Sequence, residues 1–138
     1  MLESMTKDLS DADLHAVMLE AIEEGLNINV HAICERLQVD VCSLLNQVAI
    51  AVAESFTSNT QDFEFCDEVM NALFVAIVDV SMQAPMPEPA FSIYLAFDVG
   101  EYRHRGDSAD VCPWEKYTRP EIERILHSIG RGLPTLVR

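Results

Sequence analysis

Basic residues are scarce in this chain of 138 residues, which has nine lysines and arginines against 23 aspartates and glutamates. The deficit is uneven along the sequence. Residues 1–102 contain 18 acids and two bases, a formal charge of −16, whereas residues 103–138 contain five acids and seven bases, a charge of +2. A negative field repels phosphate backbones and attracts cationic proteins, so we expect a basic protein partner and no nucleic acid.

Long apolar runs, glycine and paired cysteines are also lacking. No apolar stretch approaches the roughly 20 residues that span a bilayer, so no membrane association is expected. With 49% hydrophobic residues and five glycines, the chain is too apolar to be disordered. Its four cysteines form no CxxC pair and are expected to be reduced, mostly buried thiols. The acidic N-terminus has no secretory pattern, which predicts a cytoplasmic protein.

Signatures of catalysis and cofactor binding are absent as well. The sequence contains no Gly-rich phosphate loop, no GxSxG elbow, no dinucleotide-binding fingerprint and no HExxH or EF-hand spacing. We therefore expect neither an enzyme nor a cofactor. One set of hard metal-ligand types, Asp98, Glu101, His104 and Asp107, recurs at every third residue. It leaves open a metal-binding or enzymatic alternative, although two intervening glycines interrupt a helical presentation.

What the sequence does contain is helical periodicity. Apolar residues three and four apart predict helices over residues 11–25, 30–38, 41–56, 63–84 and 119–127. Side chains that could cap these helices precede them: Ser10, Asn27 or Asn29, Asp40, Thr60 or Asp62, and Thr118 in a capping box with Glu121. The apolar run from Val69 to Met82 predicts a central buried helix, with Asp79 on its solvent side.

Residues 91–99 alternate as a strand would, yet they also fit a helix entered through Pro89. No other segment offers a strand partner, so a helix is the preferred prediction. The sequence thus predicts an all-α, compact bundle of five or six helices with a long loop before the last helix. We expect one globular domain over residues 1–138, with residues 1–9 and 131–138 as flexible or extended tails.

Residues 29–56 have the order of a helix-turn-helix module, with a short helix, a tight turn and a longer helix. The predicted longer helix offers DNA no lysine or arginine, so two packed helices of a bundle are the preferred interpretation.

A second feature is the 16-residue stretch from Tyr102 to Tyr117, which holds residue types common in binding hot spots. It has two interpretations: a recognition loop, or aromatic side chains that cover the bundle.

These observations favour a small acidic binding protein of the immunity or antitoxin kind, which neutralises a basic protein such as a toxin through electrostatically steered binding. Tyr102 and Trp114 are the candidate anchors. The acids expected to face the partner lie on the first helix and at the start of the fourth: Asp11, Asp13, Glu20, Glu23, Glu24, Asp62, Glu64, Asp67 and Glu68. A helical scaffold or regulatory module is a further alternative, and an apolar face could support a homodimer.

Overall fold

The computed structural model describes residues 7–131, which fold as an all-α bundle of six helices without strands. The prediction of a bundle of five or six helices is therefore confirmed. The helices span Asp11–Glu24 (α1), Val30–Leu37 (α2), Val41–Thr57 (α3), Phe63–Ser81 (α4), Ala90–Asp98 (α5) and Arg119–Ser128 (α6). A 3₁₀ turn at Gly25–Asn27 follows α1, and a π-helical turn at Trp114–Thr118 leads directly into α6.

Polar side chains begin four of these helices, each accepting a hydrogen bond from a backbone N–H of the first turn. The caps are Ser10, Asn29, Asp40 and Asp62. The sequence offers Ser10 and Asp40 as single candidates for the caps of α1 and α3. It offers two candidates each for α2 and α4, and the structure places Asn29 and Asp62 in these cap positions. Local chemistry therefore determines where most helices start.

Helix α3 is the centre of the bundle, because it packs against α1, α2, α4, α5 and α6. The prediction that α4 would be the central buried helix is wrong. Helix α4 packs against α1, α3, α5 and the 3₁₀ turn, whereas Val75 and Met82 of the α4 segment are exposed, so one of its apolar stripes meets solvent. Asp79 is also exposed, which confirms its predicted place on the solvent side. The buried side chains of α3 are Leu44, Leu45, Val48, Ala49, Val52, Ala53 and Phe56.

The segment expected to be either strand or helix forms α5, so the helix prediction for residues 91–99 is confirmed. Pro89 stands at its N-cap position and has no side-chain hydrogen bond to offer. Instead, Asn46 of α3 accepts a hydrogen bond from the backbone N–H of Ala90 at 3.0 Å. The Glu88 carboxylate accepts a second hydrogen bond from the backbone N–H of Ser92 at 3.2 Å. One of these two caps therefore comes from a neighbouring helix, which ties the start of α5 to the centre of the bundle.

Thr118, the last residue of the π-helical turn, links this turn to α5. Its hydroxyl is buried and donates to the carbonyl of Ala96 at 2.7 Å. The predicted capping box at Thr118 is wrong, because the π-helical turn continues into α6 and leaves no free first turn to cap. Gly100 lies against the Thr118 hydroxyl and the backbone of Trp114, and a Cβ at this position would overlap them. Because the π-helical turn begins at Trp114, the loop that was predicted to continue through Tyr117 ends at Pro113.

The ends of the described region are tied to the bundle. The Lys7 ammonium donates to the carbonyl of Leu37 at 2.8 Å, and the backbone N–H of Leu9 donates to Gln47 at 2.8 Å. Arg131 pairs with a carboxylate of α3 at 2.8 Å. The rest of the two predicted tails, residues 1–6 and 132–138, lies outside the described residues.

Helices α2 and α3 are inclined by 94° to one another, an angle that also occurs in helix-turn-helix modules. Here α3 is largely buried and has no lysine or arginine, so it serves as the core of the bundle. Within residues 7–131 no single helix is long and apolar enough to cross a membrane, and only the bent α2–α3 pair passes such a test of length and composition.

Candidate partner-binding surface

Three of the predicted acids gather beside two apolar side chains where α1 packs on α4. Asp62, Glu64 and Glu68 lie at the N-terminal end of α4, and together with Ile22 of α1 and Phe65 they line an open depression of about 440 Å³. Residues 64 and 68 are neighbours on one helix face because they are four apart. The depression thus combines carboxylates with partly buried apolar surface, a mixture that suits a protein interface.

The remaining acids of α1 are distributed along the helix. Glu23 and Glu24 are exposed at its C-terminal end, and Glu20 forms an ion pair with Arg36 of α2 at 3.2 Å. Asp11 and Asp13 stand in the first turn. At about 1.5 Å per residue, the first-turn acids are roughly 18 Å from Glu23 and Glu24, so α1 presents two separate groups of carboxylates.

Asp67 has a different environment from the other acids. Asn71 donates to Asp67 at 3.4 Å and to Glu101 at 3.1 Å, which places these two carboxyl groups side by side. Burial, followed by the neighbouring Glu101 and Asp98, raises the pKa of Asp67 to about 8. A protonated Asp67 can donate to Glu101. At neutral pH this residue therefore adds little negative charge to a partner-facing surface.

The two candidate anchors are both partly packed against the bundle. Trp114 stacks on Phe63 with ring centroids 4.8 Å apart, and 37% of the tryptophan stays exposed. Tyr102 stacks on His104 at 5.1 Å and is 56% exposed. Each ring thus has one covered and one open side, so the two interpretations of the 102–117 stretch apply to different faces of the same residues. Neither Phe63 nor Trp114 is among the residues that line the acidic depression.

Asp107 holds the 99–113 connection in shape. Its nearly buried carboxylate accepts hydrogen bonds from Lys116 Nζ at 2.5 Å, from Tyr117 Oη at 2.6 Å and from the backbone N–H of His104 at 2.9 Å. These donors, with Lys116 foremost, keep the pKa of Asp107 far below its ordinary value. The imidazole of His104 stacks on Tyr117 at 4.0 Å. The connection is therefore an ordered loop with its own polar centre.

Three of the four residues of the metal-binding alternative have separate partners. Asp107 is engaged by Lys116 and Tyr117, Glu101 accepts from Asn71, and His104 Nε2 lies 2.8 Å from the carbonyl oxygen of Val99. Across residues 7–131 no group of three or more histidine, cysteine, aspartate or glutamate side chains is placed to hold a metal ion. The every-third-residue spacing does not bring these ligand types together, because the segment turns instead of forming one helix.

Sequence reasoning missed an apolar groove at the opposite end of α4. The C-terminal half of α4 and the segment from Leu26 to His31 enclose a volume of about 710 Å³. At its rim Leu26, Val75 and Met82 are 76%, 52% and 76% exposed. The signal was present in the run from Val69 to Met82, which is apolar on nearly every side although one helix face of a bundle usually meets solvent.

The cysteines complete the inventory of reactive groups. All four are free thiols; Cys34 and Cys66 are buried, and Cys42 and Cys112 are partly buried. Burial raises the pKa of the Cys66 thiol to about 12 and that of Cys34 to about 11, so both are unreactive at neutral pH. The expectation of mostly buried thiols holds for two of the four cysteines.

Comparison of the chain with protein-family models, with curated proteins and with solved structures gives no significant match. The candidate surface is therefore interpreted from its own geometry and charge.

Proposed function

We propose that this chain is a small acidic binding protein that neutralises a basic protein partner in the cytoplasm, in the manner of an immunity protein or antitoxin. The observation that carries the proposal is the grouping of Asp62, Glu64 and Glu68 around Ile22 and Phe65. No lysine or arginine of the described residues lines this depression. Carboxylates beside apolar surface attract a cationic partner at long range and then supply contact area at short range.

The charge distribution of the whole chain supports the same interpretation. Residues 1–102 carry −16, and the exposed acids Glu23 and Glu24 add to the field at the C-terminal end of α1. Trp114, which stacks on Phe63 and stays 37% exposed, is the aromatic anchor in this proposal. In this proposal the carboxylates steer the encounter, and the half-exposed indole lies at the edge of the contact.

Affinity capture from the source cell's lysate tests the proposal with three baits. The wild-type chain is compared with Glu64→Lys/Glu68→Lys and with a matched control, Glu35→Lys/Glu123→Lys, which changes net charge equally on α2 and α6. All four glutamates are exposed. We expect the wild-type and control baits to retain one basic protein at low salt and to lose most of it at high salt, because salt screens exposed charges.

The Glu64→Lys/Glu68→Lys bait is expected to retain little of that protein even at low salt. Equal retention on all three baits would mean that net charge alone attracts the protein and that the depression is not the binding surface. Retention of no basic protein by any bait would refute the proposed function.

A further inference from the structure

The groove along the C-terminal half of α4 is distinct from the acidic depression at its other end. Of eight large apolar or aromatic side chains that the structure of residues 7–131 leaves exposed, three stand at this groove: Leu26, Val75 and Met82. The groove has a volume of about 710 Å³. Clustered apolar exposure of this kind marks an interaction site.

Resting on the proposed function, we infer that this groove docks an amphipathic basic helix of the same partner protein. The apolar face of that helix covers Leu26, Val75 and Met82, and a lysine or arginine beside the face meets Asp79. The partner is thus held at two places along α4, by its cationic surface at the acidic depression and by its helix at the groove.

Charge selects a basic occupant for the groove. Asp79 is exposed at the groove, no lysine or arginine of residues 7–131 lines the groove, and α4 has no basic residue in its last turn. The C-terminal end of a helix favours a nearby cation, so Asp79 and the helix end attract the same charge. Among residues 7–131, His31 on the α2 side is the one lining residue of a basic type. A basic side chain of the partner helix is therefore best placed on the α4 side of the groove, beside Asp79.

The same charges disfavour a second copy of the chain as occupant. Two copies would bring together molecules of net charge −14, each with its own Asp79 at the contact. Like charges opposed across an interface cost affinity. A basic helix has the opposite sign and the same apolar requirement.

The walls of the groove determine the recognition mode. They consist of helix α4, the 3₁₀ turn and the start of α2, and none of residues 7–131 forms a strand whose edge could accept an added one. Strand addition is thus not available at this place. Apolar side chains at positions i, i+3, i+4 and i+7 of a helix suit a groove bounded by helical backbone.

Fluorescence anisotropy with synthetic peptides tests the inference on the whole chain. The probes are a labelled leucine/lysine peptide with amphipathic helical spacing, a scrambled peptide of identical composition, and a leucine/glutamate peptide with the same apolar face. We expect the amphipathic basic peptide to bind at least about tenfold more tightly than either control, because it alone combines a continuous apolar face with positive charge.

Variants then locate the peptide. Val75→Gln is expected to weaken binding about tenfold or more, and Asp79→Asn to weaken it less while reducing its salt dependence. The matched control is Leu95→Gln on α5, where a leucine 42% exposed lies outside the groove. That variant should bind as the wild type does. All three positions are exposed, so the fold is retained, and circular dichroism checks this.

Several results would overturn the inference. Equal binding of the scrambled peptide, or insensitivity to Val75→Gln, would mean that charge alone attracts the peptide. A dimer in sedimentation experiments without peptide, abolished by Val75→Gln, would assign the groove to a second copy. Each of these leaves the proposed function intact if the capture experiment still gives a basic protein that depends on Glu64 and Glu68. Failure of that capture would instead refute the function itself.

Discussion

Replacing Asp67 by asparagine is expected to stabilise the protein above about pH 5 by an amount that grows with pH. The carboxyl group of Asp67 lies between α4 and the 99–113 connection, beside Glu101 and near Asp98. One of its oxygens is buried without a hydrogen-bond partner among the described residues. Burial and these neighbouring acids favour the neutral form, whereas in the unfolded chain the same group ionises as an ordinary aspartate.

The magnitude of this stabilisation follows from the difference between the numbers of protons that the folded and the unfolded chain bind. The pKa of Asp67 is raised from 3.8 to about 8, so between these values the folded chain holds one proton that the unfolded chain has released. The stabilising effect of the neutral carboxyl group is complete below the unfolded pKa and is lost as pH rises through the folded pKa. The folding equilibrium constant consequently falls by about tenfold per pH unit in this window. From about pH 5 to about pH 7 that is at most roughly a hundredfold, or about 3 kcal/mol, and solvent screening at this partly buried site and sharing of the proton with Glu101 reduce it.

Urea unfolding followed by circular dichroism, at a series of pH values, measures the effect. Asparagine cannot ionise and can still donate to Glu101, so Asp67→Asn should remove this contribution to the slope. The stability difference between variant and wild type should widen over the same window, by up to about 3 kcal/mol. Glu35→Gln, an exposed site on α2, is the control and should leave the slope unchanged. Parallel pH profiles for wild type and Asp67→Asn would show that Asp67 is ionised in the folded protein.

Three further predictions concern packing. Thr118→Val should lower the unfolding free energy by about 1–3 kcal/mol in urea titrations, because it removes the buried donor to Ala96; an unchanged midpoint would contradict this. Trp114→Ala should lower the unfolding free energy by about 1 kcal/mol in the same titrations, because the variant loses the stack on Phe63; an unchanged unfolding free energy would mean that the stack is not stabilising. Cys66 should resist thiol reagents until the chain unfolds, and rapid labelling of the native protein at this site would contradict its burial.

Steering by charge gives one more kinetic test once a partner has been captured. Glu23→Lys/Glu24→Lys at the C-terminal end of α1 should slow association and flatten its dependence on salt, because these exposed carboxylates contribute to the long-range field. Stopped-flow mixing at several salt concentrations measures both quantities. An unchanged association rate would remove α1 from the steering surface.

Local sequence patterns were sufficient to predict features that depend on the residues of one helix alone. Ser10 and Asp40 begin helices in the sequence and in the structure, because a cap involves only its own first turn. The choice of helix over strand for residues 91–99 depended on the absence of any strand partner, a property of the whole sequence. Thr118 was misassigned because its hydroxyl has a distant acceptor on α5, which spacing alone does not show.

The candidate surface was likewise predictable from the sequence only in part. Asp62, Glu64 and Glu68 were identifiable because they lie within seven residues of one helix, whereas Ile22 joined them only through the packing of α1 on α4. Asp67, one residue before Glu68, was assigned to the same surface in the sequence but lies against Glu101 in the fold. Neighbouring helix residues point in directions about 100° apart, so their environments depend on what packs on each side.

By itself the sequence determined the helical class, the starts of most helices, the free thiols and the excess of acid, since each depends on composition or on residues within one turn of each other. Tertiary structure decided which helix is central, which carboxylate becomes neutral and where an apolar groove opens along α4. Burial and pKa depend on groups that are distant in sequence and brought together only by packing, so no local pattern could specify them.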